Sequence, residues 1–176
     1  KFVAGPQTDY FRSPDGSVVN NSAVIFTEVD NTKPFTFTAK VQPEFTETGT
    51  YSAGVIYAYE NDTHCQKLCF EQDEYGDHRV VSVRTLGTSD DNNHQAITAP
   101  YVYMRLSSDG TTLGSYFSED GKIWRMARLY KNDFPEKLLI GISSQGPKDN
   151  EHTCLFTEVS LTDKPVADFR KGNIAE

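Results

Sequence analysis

The sequence predicts an all-β fold, a sandwich of short antiparallel strands. Three observations lead there. Helical periodicity is almost absent from the 176 residues. Short runs rich in β-branched and aromatic residues are instead cut by Gly, Pro, Asn and Asp. Two Asp-Gly pairs, Asp109-Gly110 and Asp120-Gly121, lie between alternating segments, where that dipeptide supplies the positive φ of a tight hairpin turn.

The strands follow in order. Phe35–Val41 alternates strictly and puts Phe35, Phe37, Ala39 and Val41 on one face. Ala53–Glu60 is rich in Val, Ile and Tyr. Lys67–Gln72 splits into an inward Leu68/Phe70 pair and an outward Lys67/Cys69/Glu71 set. Further strands are expected at Arg79–Thr85, Tyr101–Ser107, Thr111–Ser118, Lys122–Leu129, Leu138–Ser144 and Cys154–Leu161. Two-residue loops at both Asp-Gly pairs would set Leu106 opposite Leu113, Met104 opposite Ser115, and Phe117 opposite both Val102 and Trp124. Val102, Met104, Leu106, Leu113, Phe117, Trp124 and Met126 then form a core face. The opposite face carries a Tyr103–Tyr116–Arg125 row, with Arg105 and Gly114 in the next. No linker or repeat interrupts the series, so a single domain over residues 1–176 is expected, with a polar Pro165–Glu176 tail that packs only in part.

Composition narrows the function. Aromatics make up 12% of the chain, enough apolar surface to offset chain entropy. Lys and Arg total 17 against 25 Asp and Glu, a net charge of −8 that argues against nucleic acid or an anionic membrane as partner. No apolar run reaches the ~18 residues of a membrane-spanning helix. Cys65 and Cys69, about 13 Å apart along a strand, are too distant to bridge, and three cysteines leave at least one unpaired. Free thiols suit a reducing compartment. Lys1-Phe2-Val3-Ala4-Gly5-Pro6 is too short an apolar stretch for a leader, and a cytoplasmic location is expected.

Ordered motifs spanning nearly the whole chain carry a resemblance. They run from Gly5-Pro6-Gln7-Thr8-Asp9-Tyr10-Phe11 through Ala53-Gly54-Val55-Ile56-Tyr57 to Lys67-Leu68-Cys69-Phe70-Glu71. Val80-Val81-Ser82-Val83, Ser89-Asp90-Asp91-Asn92, Tyr103-Met104-Arg105-Leu106 and Ser118-Glu119-Asp120-Gly121-Lys122-Ile123-Trp124 follow. Ser144-Gln145-Gly146-Pro147 and Ala167-Asp168-Phe169-Arg170-Lys171-Gly172 complete the series. The chain resembles the regulation-of-enolase family of the concanavalin A-like lectin/glucanase superfamily. That resemblance implies a two-sheet jelly roll with one concave and one convex face, in a mostly cytoplasmic family without an established reaction. The sequence departs from the family where Cys65-Gln66 replaces a frequent Trp, and where Arg84 replaces an aliphatic residue.

The chemistry reads as binding. A glucanase of this fold would need carboxylates alternating on one strand, and the nearest run, Glu71-Gln72-Asp73-Glu74, puts Glu74 on the wrong face and ends in a turn. Ser118–Trp124 is a hairpin in which Asp120 caps the turn and Trp124 fills the core. Ser89–His94 reads as a polar loop at the mouth of the concave face, with Asp90 and Asp91 as its acidic members. Lys67, Glu71 and Arg105 are expected to converge on that face with Tyr103 or Tyr116 alongside, forming with Arg125, Asp90 and Asp91 the candidate ligand set. No metal or cofactor is expected. The sequence therefore suggests a non-catalytic module for a carbohydrate or small metabolite. The alternatives are an interaction module docking on a partner enzyme through Tyr103, Tyr116 and Arg125, and, third, a glycoside hydrolase.

Overall fold

The computed structural model describes residues 1–148 and 150–174. Fourteen strands, all antiparallel in their pairings, build the described chain. They are β1 (Phe2–Ala4), β2 (Tyr10–Arg12), β3 (Val18–Asn20), β4 (Ile25–Asp30), β5 (Phe35–Pro43), β6 (Ala53–Asn61) and β7 (His64–Gln72). The second half adds β8 (His78–Leu86), β9 (Thr88–Ala96), β10 (Val102–Ser108), β11 (Thr112–Ser118), β12 (Arg125–Lys131), β13 (Lys137–Gln145) and β14 (His152–Thr162). One six-stranded sheet runs β1-β14-β5-β10-β11-β12 and the other β4-β13-β6-β7-β8-β9, while β2 and β3 form a separate hairpin. The expected all-β, two-sheet sandwich is what the chain builds.

Strand alternation places the core. Phe35, Phe37, Ala39 and Val41 of β5 meet Ile56, Leu68, Phe70 and Val80 of the second sheet, with Val102, Met104, Leu106, Leu113 and Phe117 completing the interior. Apolar side chains also line the outer face of the second sheet. Val55, Tyr57, Cys69, Val81 and Val83 lie there beneath Tyr10, Phe11 and Phe26. A strand covered on both faces reads as continuously buried, and β7 is buried from Cys65 to Gln72. Cys65, Cys69 and Cys154 are free thiols, all buried.

Both Asp-Gly turns are wider than expected. Asp109 Oδ1 accepts from the Thr111 and Thr112 amides at 2.9 and 2.7 Å, which draws Thr111 into the loop and starts β11 at Thr112. The register slips by two, to Leu106↔Ser115 and Met104↔Phe117. An even slip keeps every side chain on its face, so the core assignment survives. The second turn does not preserve it. Asp120 Oδ1 holds the Lys122 and Ile123 amides at 2.8 Å, and the ladder resumes only at Arg125, opposite Phe117. A bulge between Ser115 and Tyr116 then sets Met126 opposite Tyr116, on the outer face. Trp124 is thereby released from the ladder and lies outside the core, half-buried, its ring 3.6 Å from the Arg105 guanidinium.

Two further expectations change. Ser89–His94 is not a loop but part of β9, because main-chain pairing with β8 proceeds whatever the side chains' polarity. The tail packs more closely than its composition suggests. Thr36 Oγ1 donates to Lys164 O at 2.6 Å, Val166 N to Ser107 Oγ at 2.9 Å and Tyr116 OH to Phe169 O at 2.8 Å. Positions 175–176 of that tail lie outside the described residues.

Candidate functional site

On the outer face of the second sheet, beside the β2–β3 hairpin, lies a cleft of about 400 Å³. Its floor follows from register. One row across the strands runs Tyr57–Lys67–Val83–Asp91, and the next runs Val55–Cys69–Val81–Asn93. Glu71 stands one further step along β7, in line with Ala53. Val81 and Val83 form the apolar part of the floor, and Lys67, Glu71, Asp91 and Asn93 stand around them.

Lys67 is 3% exposed, and its ammonium donates to Asp9 Oδ1 at 2.6 Å and Gln145 Oε1 at 3.1 Å. Burial works against its charge, but the Asp9 carboxylate outweighs burial and holds the pKa well above the ordinary lysine range. Asp9 also accepts from the Tyr10 amide at 2.7 Å, which sets its direction. Lys67 is thus a committed ion pair, not a free cation.

Glu71 differs. It is 9% exposed, lines the cleft, and has no hydrogen-bond or ion-pair partner among the described residues. Burial raises its pKa to about 8, the Lys67 charge offsetting only part of the effect. At neutral pH Glu71 is mostly a neutral acid, able to donate as well as accept. Asp91 and Asn93 of β9 form one wall, Asp91 with its pKa raised by burial. Phe11 and Tyr51 contribute aromatic surface, and Gln145 is held by Lys67 and by the Tyr51 carbonyl at 3.3 Å.

The sequence-derived candidates separate. Lys67, Glu71 and Asp91 line the cleft, whereas Arg105, Tyr103, Tyr116 and Arg125 belong to the other sheet. The expected convergence of Lys67 and Arg105 does not occur. Both side chains point outward from the core, but from opposite faces of the sandwich. Tyr116 is fully buried beneath the tail, Tyr103 donates to Glu158 at 3.2 Å, and Arg125 is exposed at the head of β12. Asp90, alternating with Asp91, pairs with Arg128 at 3.3 Å instead of entering the cleft. In the acidic run, Asp73 is committed to its own turn, accepting from the Tyr75 and Asp77 amides at 2.9 Å and from Arg79. Glu74, expected on the far face, lines the cleft, because β7 ends at Gln72 and strand alternation does not extend into the turn.

Asp9, Phe11, Tyr51, Glu74, Asn93 and Gln145 are among the cleft residues that sequence reading missed, with Val81 and Val83 of the floor. Asn93 was reachable, since it alternates with Asp91 once 88–96 is a strand. Asp9 and Tyr51 precede strands and carry no periodic signal.

Solved structures confirm the sandwich. A functionally unknown protein from Saccharomyces cerevisiae is similar with a TM-score of 0.81 and 24% identity, covering 90% of this chain and 84% of that one. The GH43 protein BlXynB from Bacillus licheniformis is similar with a TM-score of 0.69 and 14% identity, over 91% of this chain but 32% of that one. The carbohydrate binding module CBM66 from Bacillus subtilis reaches a TM-score of 0.52 at 10% identity, over 81% and 83% of the two chains. At these identities the likeness is one of fold. No curated protein matches the sequence. A family model described as "Protein of unknown function (DUF1349)" matches residues 1–164.

Proposed function

The chain belongs to the DUF1349 family, and we propose that its cleft is a non-catalytic binding site for a carbohydrate or a small hydroxyl-rich metabolite. One observation carries the reading: Glu71 is buried, unpartnered and mostly protonated at the base of the cleft. Its carboxyl faces the cleft with no protein partner, and a ligand hydroxyl would supply one. Asn93 and Asp91 add a donor and acceptors on one side, and Phe11 and Tyr51 add ring surface of the kind sugars pack against. With Glu71 neutral, Asp9, Glu74 and Asp91 against one lysine still leave the cleft acidic, which favours a neutral polyol over an anion. The shared fold of a carbohydrate binding module supports the ligand class by analogy. Three buried free thiols support a reducing compartment and with it a cytoplasmic site of action. The reading deepens the resemblance to regulation-of-enolase domains by giving such a domain a ligand of its own.

Thermal shift against xylobiose, xylotetraose, glucose and inositol tests it. A saccharide present at 100 times its dissociation constant adds about 2.7 kcal/mol of stability. Glu71→Ala should abolish the shift, and Glu71→Gln, whose amide still donates, should keep most of it. No shift with any of these polyols, or a shift that survives Glu71→Ala, would overturn the assignment.

A further inference from the structure

We propose that the outer face of the other sheet carries a second site, for a compact oxyanion on a small molecule, read by Arg105 with Lys122 and Trp124. Arg105 is 5% exposed and has no carboxylate partner among the described residues. Its Nε donates to Thr38 Oγ1 at 2.9 Å and its Nη1 to the Gly172 carbonyl at 2.6 Å, which leaves Nη2 without a protein acceptor. The other arginines withdrawn from solvent are all paired. Arg12 meets Asp62 at 3.3 Å, Arg79 meets Asp73 at 2.6 Å, Arg128 meets Asp90 at 3.3 Å, and Arg84 meets Asp133. In a chain of net charge −8 the most buried guanidinium is the one denied an acid.

A cavity of about 550 Å³ opens on it, lined by Arg105, Lys122, Trp124, Asn173, Gly121 and Ile174. Among the described residues the lining holds two cations and no carboxylate. Trp124 covers one face of the guanidinium, 3.6 Å away, so an edge is what remains for a ligand, and a guanidinium edge suits carboxylate or phosphate oxygens. The Asn173 side chain has no protein partner and adds a neutral donor. Burial without a counter-charge pulls the Arg105 pKa down to about 10, a cost that a bound anion would relieve. The site is independent of the cleft, which lies on the other sheet and is acidic.

Trp124 is the single tryptophan of the chain, so its fluorescence reports on this site directly. The full chain is titrated with glucuronate and separately with inorganic phosphate, against glucose and sodium chloride at matched ionic strength. A saturable change with glucuronate or phosphate, absent with glucose and chloride, is expected. Which of the two responds names the source of the oxyanion, and either supports the site. Lys122→Glu, on an exposed turn residue, should weaken binding about tenfold, while Glu71→Ala in the cleft should leave it unchanged. A response reproduced by chloride or glucose, or equal affinity in Lys122→Glu, would overturn the proposal.

Discussion

The Lys67 ammonium reaches Asp9 across the outer face of its sheet, 2.6 Å away, and ties β7 to the segment that leads into β2. The two side chains differ in cover, 3% exposed for Lys67 and 16% for Asp9. That asymmetry sets the cost of breaking the pair.

Asp9→Asn leaves a buried ammonium without its counter-charge and should cost about 3–5 kcal/mol in urea unfolding. Lys67→Met should cost less, because Asp9 retains some access to water. The double variant should lose clearly less than the sum, by on the order of 1–2 kcal/mol. Additive losses would show that the pair carries little coupling.

Glu71 predicts an unusual pH dependence. Its folded pKa of about 8 exceeds the ordinary value of 4.5, so between those limits the folded chain holds a proton that the unfolded chain releases. The stability from the neutral acid is complete below about pH 4.5 and is lost as pH rises through about 8. Glu71→Gln has no such titration. It should lie close to the wild type near pH 5 and exceed it at pH 9 by on the order of 4 kcal/mol, read from unfolding at each pH. A difference independent of pH would remove Glu71 from its buried setting.

Gly54 marks a close approach between the sheets. A Cβ there would run into Cys154 Sγ and Val41 Cγ1. Gly54→Ala should destabilise by about 1–3 kcal/mol through overpacking. In a Cys154→Ala background, where the sulfur is gone, the same change should cost less. Equal penalties in both backgrounds would locate the strain elsewhere.

Local alternation was legible in the sequence, and long-range pairing was not. Phe35, Phe37, Ala39 and Val41 lie in the interior as their spacing indicates, and Leu68/Phe70 and Lys67/Glu71 divide as expected. Alternation tells a side chain that it points away from the core. A sandwich has two such directions, and the choice rests on β7 pairing with β6 and β8 while β10 pairs with β5 and β11. Arg105 was therefore assigned to the wrong side. Trp124 failed for a different reason: the Asp120 carboxylate gathered two more amides than a two-residue turn allows, and a bulge followed. Strand β9 was hidden by its composition, since Asp and Asn favour loops unless a neighbouring strand recruits their backbone.

The β2–β3 hairpin and the C-terminal segment lie over opposite sheets and contribute to the ladder of neither. Each docks on a surface assembled from distant parts of the chain: Arg12 on Gly87 and Ser89, Val166 on Ser107. Such surfaces exist only after the strands have paired, so both segments depend on contacts distant in sequence. One borders the cleft and the other borders the buried arginine, so each site is bounded by a piece of chain that belongs to neither ladder.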